Sequence, residues 1–413
     1  MKFDYIIIGG GLCGLAAGIR LAEKGKKTAI VSSGQSALHF CAGSFGLLGR
    51  HGDDIIKNPI EEIDNLAQNH PYRLMGKDTV AKLAGEVPAT LKRAGVSCYG
   101  DASANHFTLT PFGHTRPSWL TLDGYPVLKS ATEKPFDKVL VVAVKGFLES
   151  YPAFIVENLE KLGVECRIET IDLDRLMHLR LSNFDMRAVS VAKQMDLTTI
   201  EEFAGKINAC ARQGETVLIP AIVGVNGETQ MKRMRERVNN PLFCVPTIPV
   251  SVSGVRTQHA LQQYFEQIGG TYLLGDRVEK GIMENGKVKE VVTTNFGEDH
   301  LKADAFILAS GTFFSEGVKS NPNGFYEPVF GLDINFPKNR DEWYDANFFA
   351  SQPYMDFGVE IDNEFHPSVE GKKISNLYVA GATLAHCNSL KEDSGAGSAI
   401  LTGFHVADLA MNK

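Results

Sequence analysis

Phe3-Asp4-Tyr5-Ile6-Ile7-Ile8-Gly9-Gly10-Gly11-Leu12-Cys13-Gly14 decides the fold. An apolar strand runs straight into three spaced glycines. Each glycine has its own physical reason. Gly9 permits the tight turn out of the strand, Gly11 lets backbone approach a pyrophosphate, and Gly14 lets a helix pack close to the sheet. The helix that follows is rich in small residues (Ala16, Ala17, Gly18, Ala22) and stops at Gly25. Its first N–H groups and its positive dipole end favour a phosphate. Lys27-Thr28-Ala29-Ile30-Val31 then supplies the second strand. Strand, glycines, helix and strand in this order are the entry to a dinucleotide-binding βαβ unit, and hence to redox chemistry with a nucleotide cofactor.

One part of that pattern is absent. The second strand should end in Asp or Glu, to hold an adenosine ribose. Here it runs into Ser32, Ser33 and Gly34. Serine makes a weaker, neutral hydrogen bond. A mononucleotide flavin, which has no adenosine, would not need the acid.

Outward from this unit, Lys138–Val144 reads as a buried strand, followed by a helix to about residue 162 and a strand over Glu165–Ile168. This second βαβ pattern has no glycine fingerprint and reads as the scaffold of an inserted domain. The helical pattern over Asp78–Ala94 should be interrupted at Pro88. Buried-strand character returns at Thr216–Pro220, and a strand-like run over Pro246–Arg256 precedes a helix through Ile268. Val278–Met283 and Val288–Thr294 flank Glu284-Asn285-Gly286 as a hairpin. Ala303–Thr312 and Asn376–Ala382 are strands ending in glycine, at Gly311 and Gly381. Ser394-Gly395-Ala396-Gly397 opens a last apolar helix. Its free N–H groups could stabilise negative charge on a reduced flavin. The expected class is α/β, a Rossmann-like flavoprotein fold with an inserted second domain. Residues 1–50, 215–320 and 370–413 form the flavin-binding domain; 51–214 and 321–369 form a substrate or partner domain.

Composition narrows the class. The chain has 413 residues, 44% hydrophobic and 22% charged, with a net charge of -7, which suits a globular protein and argues against nucleic-acid binding. Its seven cysteines are scattered, with no C-x-x-C, so neither a disulfide framework nor a metal or iron–sulfur site is expected. No apolar run approaches the roughly 18 residues that span a bilayer. The N-terminus reads as a strand rather than a leader. The expected location is cytoplasmic.

More specific marks are Gly34-Gln35-Ser36-Ala37-Leu38-His39-Phe40 with Gly43-Ser44, then His70-Pro71-Tyr72, and Thr110-Pro111 with Arg116 and Trp119-Leu120. Phe184 through Arg187-Ala188, Pro246-Thr247, Ser253-Gly254 with Arg256, Ala309-Ser310-Gly311 with Phe313-Phe314-Ser315, and Gln352-Pro353 with Phe357-Gly358-Val359 complete them. With these the chain resembles the B-subunit family of anaerobic glycerol-3-phosphate dehydrogenase over most of its length. The loop Cys387-Asn388 with Lys391-Glu392-Asp393 departs from it, the family being richer in glycine there.

The resemblance implies a flavin, usually FMN, with FAD the alternative. It implies two partners: an FAD-bearing catalytic subunit and an iron–sulfur subunit that docks the complex on the inner membrane. The reaction would convert sn-glycerol 3-phosphate to dihydroxyacetone phosphate, with electrons passing to quinone. That chemistry needs a base for the hydroxyl proton, for which His39 and His114 are candidates. It also needs a phosphate clamp, for which Arg116, Arg187 and Arg256 are candidates. Cofactor contacts are expected at Gly9, Gly11, Gly14, Ser32, Ser33, Gly43, Ser44, Gly311, Gly381, Gly395 and Gly397. A structural subunit without its own substrate site, and an independent flavin oxidoreductase, remain open readings.

Overall fold

The computed structural model describes residues 2–181 and 185–412; Phe184 lies outside them. In chain order the elements that position the site are β1 (Lys2–Ile8), α1 (Leu12–Ala22), β2 (Thr28–Ser32), β3 (Ser44–Phe45), α2 (Lys77–Arg93), β4 (His106–Leu109), β5 (Thr115–Ser118), β6 (Leu120–Leu122), β7 (Lys138–Val144), α3 (Pro152–Lys161) and β8 (Glu165–Ile171). There follow α4 (Ala188–Gln194), β9 (Thr216–Pro220), β10 (Leu242–Val245), α5 (Val252–Gln267), β11 (Thr271–Leu274), β12 (Val278–Glu284), β13 (Lys287–Thr293), β14 (Lys302–Leu308), β15 (Leu377–Val379) and α6 (Gly395–Met411).

The chain divides into two compact units. One takes in residues up to Ala37, Gly46–Thr90 and everything from Leu261 on; the other takes in Leu38–Phe45 and Leu91–Ala260.

The first unit is built on a five-stranded parallel sheet in the order β11-β2-β1-β14-β15. That is the doubly wound order expected from the glycine motif, and ligands of such sheets sit at the carboxyl ends of the strands. Ile6, Ile7, Ile30, Phe306 and Ile307 are fully buried, as strands covered on both faces require. α1 ends where Gly25 turns left-handed at φ 71°. It crosses α6 closely through small residues: a Cβ on Gly403 would lie 2.7 Å from the Cys13 carbonyl oxygen. Arg20 of α1 clamps this crossing. Its guanidinium holds both Asp408 oxygens at 2.7 Å and Glu86 at 2.5 Å. The β12–β13 hairpin turns on Asn285 and Gly286, both at positive φ, as a two-residue hairpin demands.

The second unit holds a four-stranded parallel sheet, β8-β7-β9-β10. α3 covers it, and Leu109, Val139, Val141, Ile155, Leu159 and Leu218 form its core. The middle βαβ pattern lies in this second unit.

Three expectations differ from the structure. β9 and β10 pair within the second sheet, whereas 215–260 was expected beside the glycine motif. Residues 321–369 likewise fall within the first unit. An apolar run marks a buried strand but not the sheet it joins. α2 continues through Pro88, because Val80, Leu83, Ala84, Val87 and Leu91 bury one continuous face that outweighs the lost hydrogen bond. The β-branched run over Pro246–Arg256 is a loop and then the start of α5, tertiary packing having overridden strand propensity.

Candidate functional site

Within the first unit, Gly9 leaves β1 at φ 115°, and its N–H donates to the Val31 carbonyl at 2.9 Å. A Cβ there would collide with the Ala309 carbonyl, and one on Gly14 would collide with the Gly9 carbonyl. These two glycines are therefore demanded by the protein's own backbone. Gly11 is different. It adopts φ -78°, which any residue can take, and the nearest atom to its absent Cβ is Ser36 Cβ at 3.5 Å. It is the N-cap of α1 and makes no side-chain cap. A bare glycine that the protein's own contacts do not require, at an uncapped helix N-terminus, fits a diphosphate. The cradle thus suits the cofactor the sequence implies.

Ser32 is buried, with its hydroxyl turned onto the Gly34 carbonyl at 3.3 Å; Ser33 is exposed. Ser33 lines a pocket of about 260 Å³ with Gly9, Val31, Asp276, Val278 and Ser310 at the carboxyl ends of the strands. At its rim Glu316 is pulled down to about 2 by Lys319 and Arg277.

The C-terminal glycines make contacts within the protein. Gly311 and Gly381 both adopt positive φ, and their N–H groups donate to Thr383 Oγ1 and Thr402 Oγ1, each at 2.8 Å. The Gly397 N–H donates to the Gly46 carbonyl at 2.8 Å, and a Cβ on Gly397 would lie 2.7 Å from both Leu47 Cα and Tyr72 Oη. These three glycines serve internal packing, and their N–H groups are committed. Gly395, at the start of α6, has Ser389 Cβ at 3.6 Å as its nearest neighbour.

The departing loop before α6 carries a cluster that sequence spacing missed. His70 Nε2 meets Glu392 Oε2 at 3.3 Å, and the Ser394 hydroxyl donates to the same oxygen at 2.9 Å. Burial drives the Cys387 thiol up, with Glu392 adding to it. Ligand atoms of His70, Cys387 and Glu392 lie within 4.8 Å of one another. His70 Nδ1 already accepts the Tyr72 N–H at 3.1 Å, which puts the ring proton on Nε2, facing Glu392. A metal ion there would have to displace one or the other, so the cluster reads as a hydrogen-bonded brace for the loop.

In the second unit, the loop Leu38–Phe45 is stitched to the start of α5. The Ser251 N–H donates to the His39 carbonyl at 2.9 Å, and the Ser251 and Ser253 hydroxyls donate to the Cys41 carbonyl at 2.5 and 3.2 Å. Gly43 turns at φ 80° under the Tyr125 ring, 2.5 Å from where a Cβ would sit. Ser44 pairs with Thr121 of β6, and its buried hydroxyl has no hydrogen bond among the described residues. Burial raises the Cys41 thiol, with Arg116 and Arg256 opposing it. The charges of both guanidiniums reach this one thiol. Arg256 donates to the Gly224 carbonyl at 3.2 Å and forms no ion pair among the described residues. His39 is buried, and neither ring nitrogen has a hydrogen bond among the described residues. Burial first, and His259 second, lower its pKa.

Two candidates do not join this group. His114 is exposed at the β4–β5 turn, with Nε2 3.5 Å from the Asn158 amide, where solvent would compete for any proton it took. Arg187 pairs with the buried Glu149 at 3.0 Å, whose other oxygen takes the Ala188 N–H at 2.7 Å. Its charge is spent on anchoring α4. Among the described residues no helix is long and apolar enough to cross a membrane.

Residues 4–398 match the FAD binding domain family. Over nearly its whole length the chain is similar to proteins named as the B subunit of anaerobic glycerol-3-phosphate dehydrogenase. It is 37% identical over 414 residues to that of Yersinia enterocolitica, covering 99% of this chain and 98% of the relative. It is 35% identical over 420 residues to that of Pectobacterium atrosepticum, covering 100% and 99%. For Aliivibrio fischeri the figures are 34% over 432 residues, covering 99% and 95%.

Proposed function

The chain belongs to the B-subunit family of anaerobic glycerol-3-phosphate dehydrogenase, and from that premise we propose that it is the FAD-bearing B subunit of such a complex. The reaction is oxidation of sn-glycerol 3-phosphate to dihydroxyacetone phosphate, with electrons passed towards quinone. The observation that carries this reading is Gly11, a residue kept bare at an ordinary φ where an added Cβ would meet nothing closer than Ser36 Cβ at 3.5 Å. A flavin held there supplies the acceptor for the substrate's hydride.

The protein's own residues do the rest. The first-turn N–H groups of α1 hold the diphosphate. Arg256, unpaired with any carboxylate among the described residues, binds the substrate phosphate, with Arg116 as the second candidate. His39, kept neutral by its low pKa and unpartnered at both nitrogens, takes the hydroxyl proton. The word subunit in the relatives' names supports an assembly of several chains. An FAD-bearing catalytic partner and an iron–sulfur partner that docks on the membrane complete the proposed complex. A role with no substrate site in this chain is disfavoured by Arg256, whose charge has no carboxylate partner among the described residues.

The test is to purify the chain, release any flavin, and identify it by absorbance and mass. The assembled complex is then mixed anaerobically with glycerol 3-phosphate. Flavin at near one per chain, bleached by substrate, is expected. A colourless chain that takes up no flavin would refute the reading.

A further inference from the structure

Asp276 stands where the acid of β2 is missing. β11 pairs parallel with β2, Leu274 opposite Ser32. In the turn that follows, the Gly275 and Asp276 N–H groups both donate to the Ser32 carbonyl, at 2.8 and 3.1 Å. The side chain of Asp276 is therefore delivered beside the end of β2 by the neighbouring strand.

That side chain is only half used. Asp276 is 2% exposed. Oδ1 accepts the main-chain N–H of Arg277 at 2.9 Å and of Asn295 at 3.0 Å. Oδ2 is buried with no hydrogen bond among the described residues. Leaving a buried carboxylate oxygen without a donor is costly, so the arrangement is incomplete as the chain stands. Asp276 lines the pocket at the carboxyl ends of the strands, and Ser310, which also lines it, carries a second buried hydroxyl without a partner among the described residues. Two residues that line one pocket, on the cradle side of a dinucleotide fold, each carry an unsatisfied polar atom, and that calls for a ligand with hydroxyl or amino donors.

We infer that Asp276 holds the adenosine end of the cofactor, with Oδ2 accepting from a ribose hydroxyl, and that this pocket makes the chain select FAD over FMN. The inference rests on the flavoprotein reading and deepens it. The usual acid comes from β2 itself; here the same point in space is reached from β11, a substitution invisible in the linear motif.

The experiment measures binding of FAD, FMN and ADP to the full-length apoprotein by fluorescence and calorimetry, for wild type, D276N and S310A. In D276N the two main-chain donors keep the amide oxygen at the Oδ1 position, so only the Oδ2 acceptor is lost. Wild type should bind FAD at least tenfold more tightly than FMN, and ADP should compete with FAD. D276N should lose about tenfold or more for FAD and ADP, leaving FMN affinity and the apoprotein melting temperature unchanged. S310A should show a smaller loss of the same pattern. Equal wild-type affinity for FAD and FMN overturns the inference, as does a D276N effect that falls on both flavins alike or on neither. Tight FMN binding without ADP competition overturns this assignment alone, whereas failure to bind any flavin overturns the flavoprotein reading itself.

Discussion

Gly11→Ala and Gly397→Ala should fail in opposite ways, although both residues read as cofactor glycines in the sequence. A Cβ at Gly397 would lie 2.7 Å from Leu47 Cα and Tyr72 Oη and 2.9 Å from the Gly46 carbonyl oxygen. Two of these three neighbours are backbone, so they can yield only if the loop moves. Restoring ordinary contact needs a shift of about 0.7 Å, within the range where overpacking costs roughly 1–3 kcal/mol. Alanine's better helix propensity returns up to about 1 kcal/mol. With the full return the net loss is roughly 0–2 kcal/mol, and each kcal/mol lowers the melting temperature by about 2–4 °C in a domain of some 150–250 residues. At Gly11 the same methyl meets nothing nearer than 3.5 Å, and φ is -78°. Its cost to the apoprotein is only that of exchanging one N-cap residue for another, under about 1 kcal/mol. The methyl would instead occupy the approach of a diphosphate, displacing charge-assisted hydrogen bonds worth about 1.5–3 kcal/mol each, a loss of at least tenfold in flavin affinity. The assay pairs calorimetric melting of the two apoproteins with flavin titration. The reasoning is refuted if Gly11→Ala keeps wild-type flavin affinity, or if Gly397→Ala melts above the wild type.

Other outcomes follow from single sites. Arg256→Ala should raise KM for glycerol 3-phosphate at least tenfold in the assembled complex without releasing flavin, with Arg256→Lys recovering part of the loss; an unchanged KM removes Arg256 from the phosphate site. His106 is buried, and desolvation pushes its pKa down to about 4. Its contribution is complete above the unfolded value near 6.5 and fades as pH falls towards 4, where protons bind the unfolded chain first. That is about 3 kcal/mol across the window, and it should shrink in His106→Gln when chemical unfolding is followed against pH. Burial raises the thiols of Cys13 to about 12 and Cys244 to about 11, and raises Cys41 and Cys387 as well. Alkylation at pH 8, mapped by mass, should therefore be much slower at these four in the native chain than in the unfolded one. Asp408→Asn weakens the two-pronged clamp on Arg20 and should cost about 1–3 kcal/mol of stability.

What the linear chain determines here is local. Gly9, Gly11 and Gly14 sit between two strands at fixed spacing, and such spacing acts through adjacent backbone, so it can be read without knowing the rest. The Asn285-Gly286 hairpin is legible for the same reason: positive φ at two successive residues is a property of those residues. Tertiary structure decides whatever depends on partners distant in sequence. β9 looks like any buried strand until it pairs with β7. Gly397 looks like a phosphate glycine until the Gly46 carbonyl takes its N–H. Arg187 looks like a phosphate clamp until Glu149 takes its charge. Arg116 and Arg256 are 140 positions apart, yet the charges of both reach the Cys41 thiol. Asp276 illustrates the limit most directly. The motif specifies an acid on β2, whereas a ligand would need only a carboxylate at that point in space, and the pairing of β11 with β2 brings one there from 244 residues beyond Ser32.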